Sequence, residues 1–230
     1  MNGSNLFNDP LFGVFVTVTA YAAALLVRRR LRWLHPLITA PVLIYFLLQL
    51  GRIDFADYKA GGDIVTFFLG PATVALAVPL YKQAIRLKPL LPSLLLGALV
   101  GSAAGLGVNA LCITLLGGSE LLLKSALPKS VTAAVSIELS RWLGGSPELT
   151  AALTVMTGLF GSVVGPSLLR LAGVNDRIAA SVAIGAASHG IGSARLMADS
   201  EEAGGISGFS MAACAVFTPV LLLPVHWFLL

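Results

Sequence analysis

From Pro89 to Leu116 this chain carries no Asp, Glu, Lys or Arg, and from Ile206 to Leu229 it again carries none. Apolar runs of this kind cross the roughly 30 Å hydrocarbon layer as helices of about 20 residues. In lipid every backbone N–H and C=O must be paired internally, so these runs predict membrane helices. The strands of an outer-membrane barrel would alternate in polarity over about ten residues, and no such alternation runs through them. Composition agrees: 57% of the 230 residues are hydrophobic and 11% charged, with a mean hydropathy of +0.88. That leaves too little polar surface to cover a soluble domain of this length.

Read for spans of membrane length, the chain predicts an all-α polytopic helical membrane protein of about eight segments, a single integral membrane domain over 1–230. The segments are Leu11 to Val27, His35 to Leu50, Ile64 to Tyr81, Pro89 to Leu116, Leu121 to Trp142, Leu149 to Leu171, 176–197 and Ile206 to Leu229. A mixed loop through Arg52, Asp54, Asp57, Lys59 and Asp63 precedes the third. No basic region comes before the first apolar stretch and no small-residue cleavage site follows it, so that span is expected to be retained. Positive charge accumulates in short cytoplasmic loops. This places Arg28, Arg29, Arg30, Arg32, Lys82, Arg86, Lys88, Arg141 and Arg195 inside and both termini outside.

A short phrase is written twice: Gly70-Pro71-Ala72-Thr73-Val74-Ala75 in the third segment, and Leu127-Pro128-Lys129-Ser130-Val131-Thr132 in the fifth. Each is followed by a second shared phrase, Gly101-Ser102-Ala103-Ala104-Gly105 and Gly161-Ser162-Val163-Val164-Gly165. The pattern predicts a tandem internal repeat with units of about 63–116 and 120–174, in parallel or inverted orientation. Proline removes a backbone donor and clashes with the preceding turn, so Pro71 and Pro128 are each expected to split a span into two half-helices. The amides freed after each break, with the partial positive charge of a helix start, suit a carboxylate. Thr73, Ser130 and Thr132 add hydroxyls there and Lys129 adds a full charge. Two interrupted membrane helices are a carrier-like arrangement; kinked but packed helices are the alternative.

A lysine within a span is a functional candidate unless it lies near the end and snorkels to the headgroups. Glu138 and Arg141 stand i, i+3 and can pair on one helical face, while Glu138 is also a candidate coupling group. The seventh segment holds Ser188, His189, Gly190, Gly192 and Ser193, and its glycines make a regular helix costly. It is expected to be broken and to line a cavity, with His189 as a second candidate for coupling through its titration near neutral pH. Gly97, Gly101 and Gly105, like Gly161 and Gly165, recur every four residues and allow close helix approach. Cys112 and Cys214 read as small buried hydrophobes. No phosphate loop, metal-ligand cluster or nucleophile elbow is present, so no enzyme, metal or cofactor is expected. The net charge of +4 reflects cytoplasmic loops and shows no basic stripe for nucleic acid.

The phrases Leu69 to Tyr81, Leu127 to Thr132 and Ala187 to Arg195, in this order, closely resemble the LrgB/CidB family of bacterial membrane proteins, over nearly the whole chain. One departure is visible: Ala134-Val135 stands where the family has a proline and a methionine, which touches local packing. The resemblance implies two different functions. One is an antiholin-like role, in which LrgB-type proteins and small LrgA-type membrane partners modulate murein hydrolase activity and autolysis. The other is transport, since plastid relatives look like glycolate and glycerate carriers and bacterial members are linked to pyruvate movement. The convergence of broken helices favours a carrier of small monocarboxylates in the bacterial inner membrane, working as a homodimer. The expected site is Pro71, Ala72, Thr73, Val74, Pro128, Lys129, Ser130, Val131, Thr132, Ser188, His189, Gly190 and Ser193.

Overall fold

Asp9 opens the first helix by accepting the amide of Leu11, with Pro10 at the position where a missing N–H costs nothing. The computed structural model describes residues 9–31, 34, 36–75, 78, 81, 85 and 87–229, with no strand among them. They divide into two compact units, 1–73 and 74–230. Lys82 and Arg86, assigned above to an inner loop, lie outside the described residues.

The first unit is built on α1 (Pro10–Arg30), α2 (Pro36–Gly51) and α3 (Phe55–Phe67), followed by the short α4 (Leu69–Ala75) at the unit boundary. Arg28, Arg29 and Arg30 occupy the last turn of α1, where cations complement the carbonyl end of the helix. Val16, Ala20, Ile44 and Leu48 form its core, with Phe12, Ile53 and Tyr58 packed against them. Helices α1 and α3 touch backbone to backbone: a Cβ on Gly61 would lie 2.6 Å from the Gly13 Cα. Beside that contact Thr17 Oγ1 and Tyr58 OH are hydrogen-bonded at 3.0 Å.

Two expectations are corrected here. The mixed stretch after Arg52 is helix α3, because Asp54 caps the amide of Ala56, Asp57 sits in the first turn, and Lys59 pairs with Asp63 at 2.9 Å. Polar residues that read as a loop are the exposed face of a capped helix. The interruption in the third segment falls at Phe68, which keeps right-handed helical torsions (φ −73°, ψ −8°), and not at Gly70-Pro71. Pro71 is the third residue of α4, and its missing amide leaves the carbonyl of Phe67, four residues earlier, without a helical donor. The third segment is thus split into two helices as expected, with the interruption one turn before the proline.

The second unit contains α5 (Leu91–Leu115), entered through a 3-10 turn at Lys88–Leu90, then α6 (Glu120–Ala126), a 3-10 turn at Leu127–Ser130, α7 (Ala133–Leu143), α8 (Pro147–Leu171), α9 (Arg177–Asp199) and α10 (Glu201–Leu229). The fifth segment is broken as expected. After the 3-10 turn Val131 is extended (φ −102°, ψ 179°), and Thr132 turns the chain into α7. The seventh segment is also broken, at His189, whose torsions (φ 39°, ψ −136°) leave the helical region. A left-handed φ at a non-glycine residue costs on the order of 1–3 kcal/mol and persists only where surroundings impose it.

Helix α9 is held between two glycine rows. On α5, Gly97 faces Val182 and Gly101 faces Ala186; on α8, Gly165 faces Ile184, Gly161 faces Ser188 and Gly158 faces the His189 ring. Gly185 meets the backbone of Ser207 on α10. Helix α8 contains Pro166, which withholds the amide that would have bonded the carbonyl of Ser162 four residues earlier. The Arg195 guanidinium donates to that carbonyl instead. Arg195 therefore lies within α9, as the seventh segment's bounds implied, and ties it to α8.

Among the described residues four helices are long and apolar enough to cross a membrane: Pro10–Arg30, Lys88–Leu115, Pro147–Leu171 and Glu201–Pro224. Pro36–Gly51 is apolar but shorter, and the remaining segments are interrupted. The chain is an all-α multi-pass membrane protein.

Two outcomes follow for stability. Gly61→Ala is expected to lower the thermal unfolding midpoint of the purified protein by an amount matching about 1–3 kcal/mol of overpacking. Gly62→Ala, whose Cβ would meet only the Tyr58 ring at 3.7 Å, should leave the midpoint unchanged or raise it. Arg195→Ala should destabilise by about 1–3 kcal/mol by stranding the Ser162 carbonyl. Pro166→Ala in the same chain should recover most of that loss, which a double-mutant cycle measures.

Candidate functional site

The break between α6 and α7 sits in the middle of the second unit. Val131 packs with Ala98, Ala186 and Cys214 from α5, α9 and α10, while Pro128 is buried beside Leu127. The last turn of α6 is held by polar side chains from neighbouring helices. Asn109 Nδ2 on α5 donates to the carbonyl of Ala126 at 2.5 Å. Thr150 Oγ1 on α8 lies 2.8 Å from the carbonyl of Ser125 and 2.6 Å from Ser140 Oγ, and Ser125 Oγ accepts the amide of Ser146 at 2.8 Å. Because the backbone there is anchored from outside, the residues that follow are presented in a defined conformation.

Those residues are Lys129 and Ser130, both half-buried. They line an open cavity of about 890 Å³ within the second unit. One wall is α5, including Gly97, Gly101, Gly105, Asn109 and Cys112; the other is the N-terminal half of α9, with Thr157 of α8 nearby. Gly105 faces Ser130, with Oγ 3.5 Å from where a Cβ would sit, so the glycine opens room at the hydroxyl. Lys129 forms no salt bridge among the described residues. Among the described residues Asp176 is the other charged residue of the lining, and one of its carboxylate oxygens already accepts the amide of Ala179 at 2.7 Å.

Helix α7 begins at this break without help from its own cap. Thr132 occupies the N-cap position but makes no capping bond, and its buried Oγ1 has no hydrogen-bond partner. The first-turn amides of α7 thus receive no bond from the cap side chain. At the start of α6 the opposite holds: Ser119 caps Leu122, and the Lys124 ammonium holds the Glu120 carboxyl below the usual carboxylate range.

The third polar cluster lies outside this cavity. His189 Nε2 is 2.9 Å from the carbonyl of Thr154, and Thr154 Oγ1 pairs with Ser136 Oγ of α7 at 3.0 Å. Ser193 pairs with Ser207 of α10 at 2.9 Å. Ser188 is fully buried against Gly161, and its hydroxyl has no partner. The cluster links α7, α8, α9 and α10 through their interiors, whereas the lining of the cavity takes only Ala186 and Ala187 from this part of α9.

Of the predicted site residues, Lys129 and Ser130 come together in the cavity, with Pro128, Val131 and Thr132 shaping the break behind them. Ser188, His189, Gly190 and Ser193 form the separate helix-binding cluster. Glu138 is exposed and paired with Arg141 at 2.5 Å. Pro71 and Val74 are exposed on α4, and the side chains of Ala72 and Thr73 lie outside what is described. Asn109, Cys112 and Thr157 escaped sequence reasoning. Asn109 had a signal, a lone amide in an otherwise uncharged span, but Cys112 was read as buried and proves exposed in the cavity wall. Its position along α5 puts it on the face that the glycine row leaves uncovered.

The profile of the LrgB-like family matches residues 17–228. The protein YwbG of Bacillus subtilis (strain 168) is 34% identical over 210 residues, covering 90% of this chain and 93% of the relative. A protein of Bacillus mycoides named antiholin-like protein LrgB is 30% identical over 216 residues, covering 93% of this chain and 94% of its own. The antiholin-like protein LrgB of Bacillus subtilis is 29% identical over 220 residues, covering 94% and 95%. No solved structure matches. With a family profile and relatives that both run nearly end to end, the chain belongs to the LrgB-like family.

Proposed function

We propose that the second unit binds an organic monocarboxylate at Lys129 and Ser130, and that the protein carries such acids, of the pyruvate, glycolate or glycerate kind, across the bacterial cytoplasmic membrane by alternating access. One observation carries this reading: a half-buried ammonium without an ion-pair partner among the described residues opens into a roomy cavity within a membrane protein. A cation at that depth is costly and is offset when an anion meets it. The carboxylate takes one oxygen to Lys129 and the other to Ser130, within reach of the donors that begin α7. The solute leaves chemically unchanged, so no catalytic group is required.

Alternation asks for helices that shift without repacking bulky side chains. The glycine-lined contacts of α9 with α5 and α8 meet that demand, and the carrier works as a homodimer. In this scheme His189 and Glu138 take no part in the binding step, since the first is engaged by Thr154 and the second by Arg141.

The name that two of these relatives carry, antiholin-like protein LrgB, favours a second reading. In it the protein regulates murein hydrolase activity and autolysis together with an LrgA-type partner, as the family resemblance implies. The two separate by experiment. Proteoliposomes holding the parent protein should accumulate labelled pyruvate or glycolate, and Lys129→Ala should cut the rate by about tenfold or more, the worth of one charge-assisted bond. Ser130→Ala should lower it severalfold. If both variants transport like the parent, Lys129 and Ser130 are not the site. If no acid moves while deletion of the gene still changes murein hydrolase release, the regulator reading stands in its place; transport only on co-reconstitution with an LrgA-type protein would make this chain one half of a joint carrier.

A further inference from the structure

The order of contacts along the helices of the second unit fixes their directions. Gly97 of α5 meets Val182 and Gly101 meets Ala186, so α5 and α9 run the same way. Gly165 of α8 meets Ile184 and Gly161 meets Ser188, so α8 runs against α9 and therefore against α5. Both α5 and α8 are long enough to cross the membrane. Helix α8 must then start at the face where α5 ends, so the chain between Leu115 and Pro147 begins and finishes at one face. Local pairings agree. Asn109 bonds Ala126 and Gly105 faces Ser130, so α6 and its following turn run back along α5. Ser136 pairs with Thr154 and Ser140 with Thr150, so α7 runs against α8. With seven and eleven residues, α6 and α7 extend about 10 Å and about 16 Å, too little for either to cross roughly 30 Å of hydrocarbon.

We infer that residues 119–146 form a re-entrant hairpin, dipping into the membrane from the face where α5 ends, and that this hairpin is a gate of the carrier. The fifth segment, predicted as a span, then crosses nothing. Its tip carries Lys129 and Ser130. Ser130 faces Gly105, which lies about 15 Å from the Leu115 end of α5. Thr154, opposite Ser136, lies about 10 Å from the Pro147 end of α8, and the break is about one turn deeper. Both measures put the tip near the middle of the membrane. The gate role rests on the carrier reading, whereas the topology rests on packing alone. An alternating site must be reached from each face in turn. The cavity runs to the tip from Ser93 and Asp176, at the starts of α5 and α9 and thus at the opposite face. Toward its own face the tip is backed by Leu123, Leu127, Leu139 and Leu143 of the hairpin, packed with Leu106, Ala110 and Leu222. A hairpin tethered at one face shifts without moving a crossing helix, because Asn109 and Thr150 hold it by side-chain hydrogen bonds. Helix α9, on its glycine-lined contacts, borders the same cavity from the facing wall.

The topology is tested on the full-length protein with its native thiols removed by Cys112→Ser and Cys214→Ala. Single cysteines at three exposed positions, Glu120→Cys, Glu148→Cys and Asn175→Cys, are probed with a membrane-impermeant maleimide in intact cells and in inverted vesicles. Glu120→Cys and Glu148→Cys should react from one side and Asn175→Cys from the other. Labelling of positions 120 and 148 from opposite sides overturns re-entry. For the gate, Ser136→Cys with Thr154→Cys replaces two hydroxyls 3.0 Å apart, close enough for a disulfide between α7 and α8. Oxidation should stop uptake of labelled pyruvate into proteoliposomes and reduction should restore it, while equilibrium binding of pyruvate persists in both states. Uptake that continues through a formed cross-link overturns the gate and leaves the hairpin. A parent protein that neither binds nor carries pyruvate overturns the carrier reading and the gate together, and the labelling pattern then decides re-entry by itself.

Discussion

Inside hydrocarbon a backbone carbonyl or amide that loses its helical partner has no water to replace it, and the second unit is organised around that demand. At the end of α6 and at Pro166, a side chain from a neighbouring helix reaches across. Asn109 serves the end of α6 and Arg195 serves the carbonyl freed by Pro166. Thr150 reaches the carbonyl of Ser125, and His189, at the break in α9, bonds the carbonyl of Thr154. These bonds do more than satisfy the backbone. Each ties one helix to another at a defined level, so the interruptions become the places where the bundle is joined.

The same logic explains the polar residues buried in so apolar a chain. Ser125, Ser136, Ser140, Thr150, Thr154, Ser188, Ser207 and Ser210 are all fully buried, and most meet another hydroxyl or a carbonyl. Glycine supplies the complementary device by bringing helices close enough for short side chains to span the gap. Helix α9 depends on both, with glycines from α5 and α8 on its flanks and hydroxyls or ring nitrogen bonding across. Its left-handed residue, His189, sits where these contacts concentrate, which accounts for a conformation that an isolated helix would reject.

Against this background Lys129 stands apart as an unpaired charge, while the hydroxyls of Ser102, Thr132 and Ser188 are also left without partners among the described residues. The break that holds Lys129 is anchored from behind by Asn109 and Thr150. A fold that places an unpaired ammonium and a serine hydroxyl in the wall of an open cavity is suited to a guest that brings acceptors. The proposed carboxylate supplies them.

Much of this was legible in the residues. Uncharged runs such as Pro89 to Leu116 demand membrane helices whatever their partners. Pro128 with its neighbours marked a break that the coordinates contain, and the glycines around His189 marked another. Pro71 marked an interruption as well, displaced to Phe68 because a proline disturbs the turn before it by withholding the amide due to the carbonyl of Phe67. The stretch from Asp54 to Asp63 misled because a capped amphipathic helix and a polar loop share a composition. Local sequence therefore determined which segments enter the membrane and where backbone pairing is strained, since both follow from the chain's own chemistry. Which strained groups are answered by a neighbour, and which are left to face a cavity, depended on residues as far apart as Ser162 and Arg195 or Gly105 and Ser130. Only the packing of helices brings such pairs together, and so only tertiary structure decided that Lys129 opens into space while His189 does not.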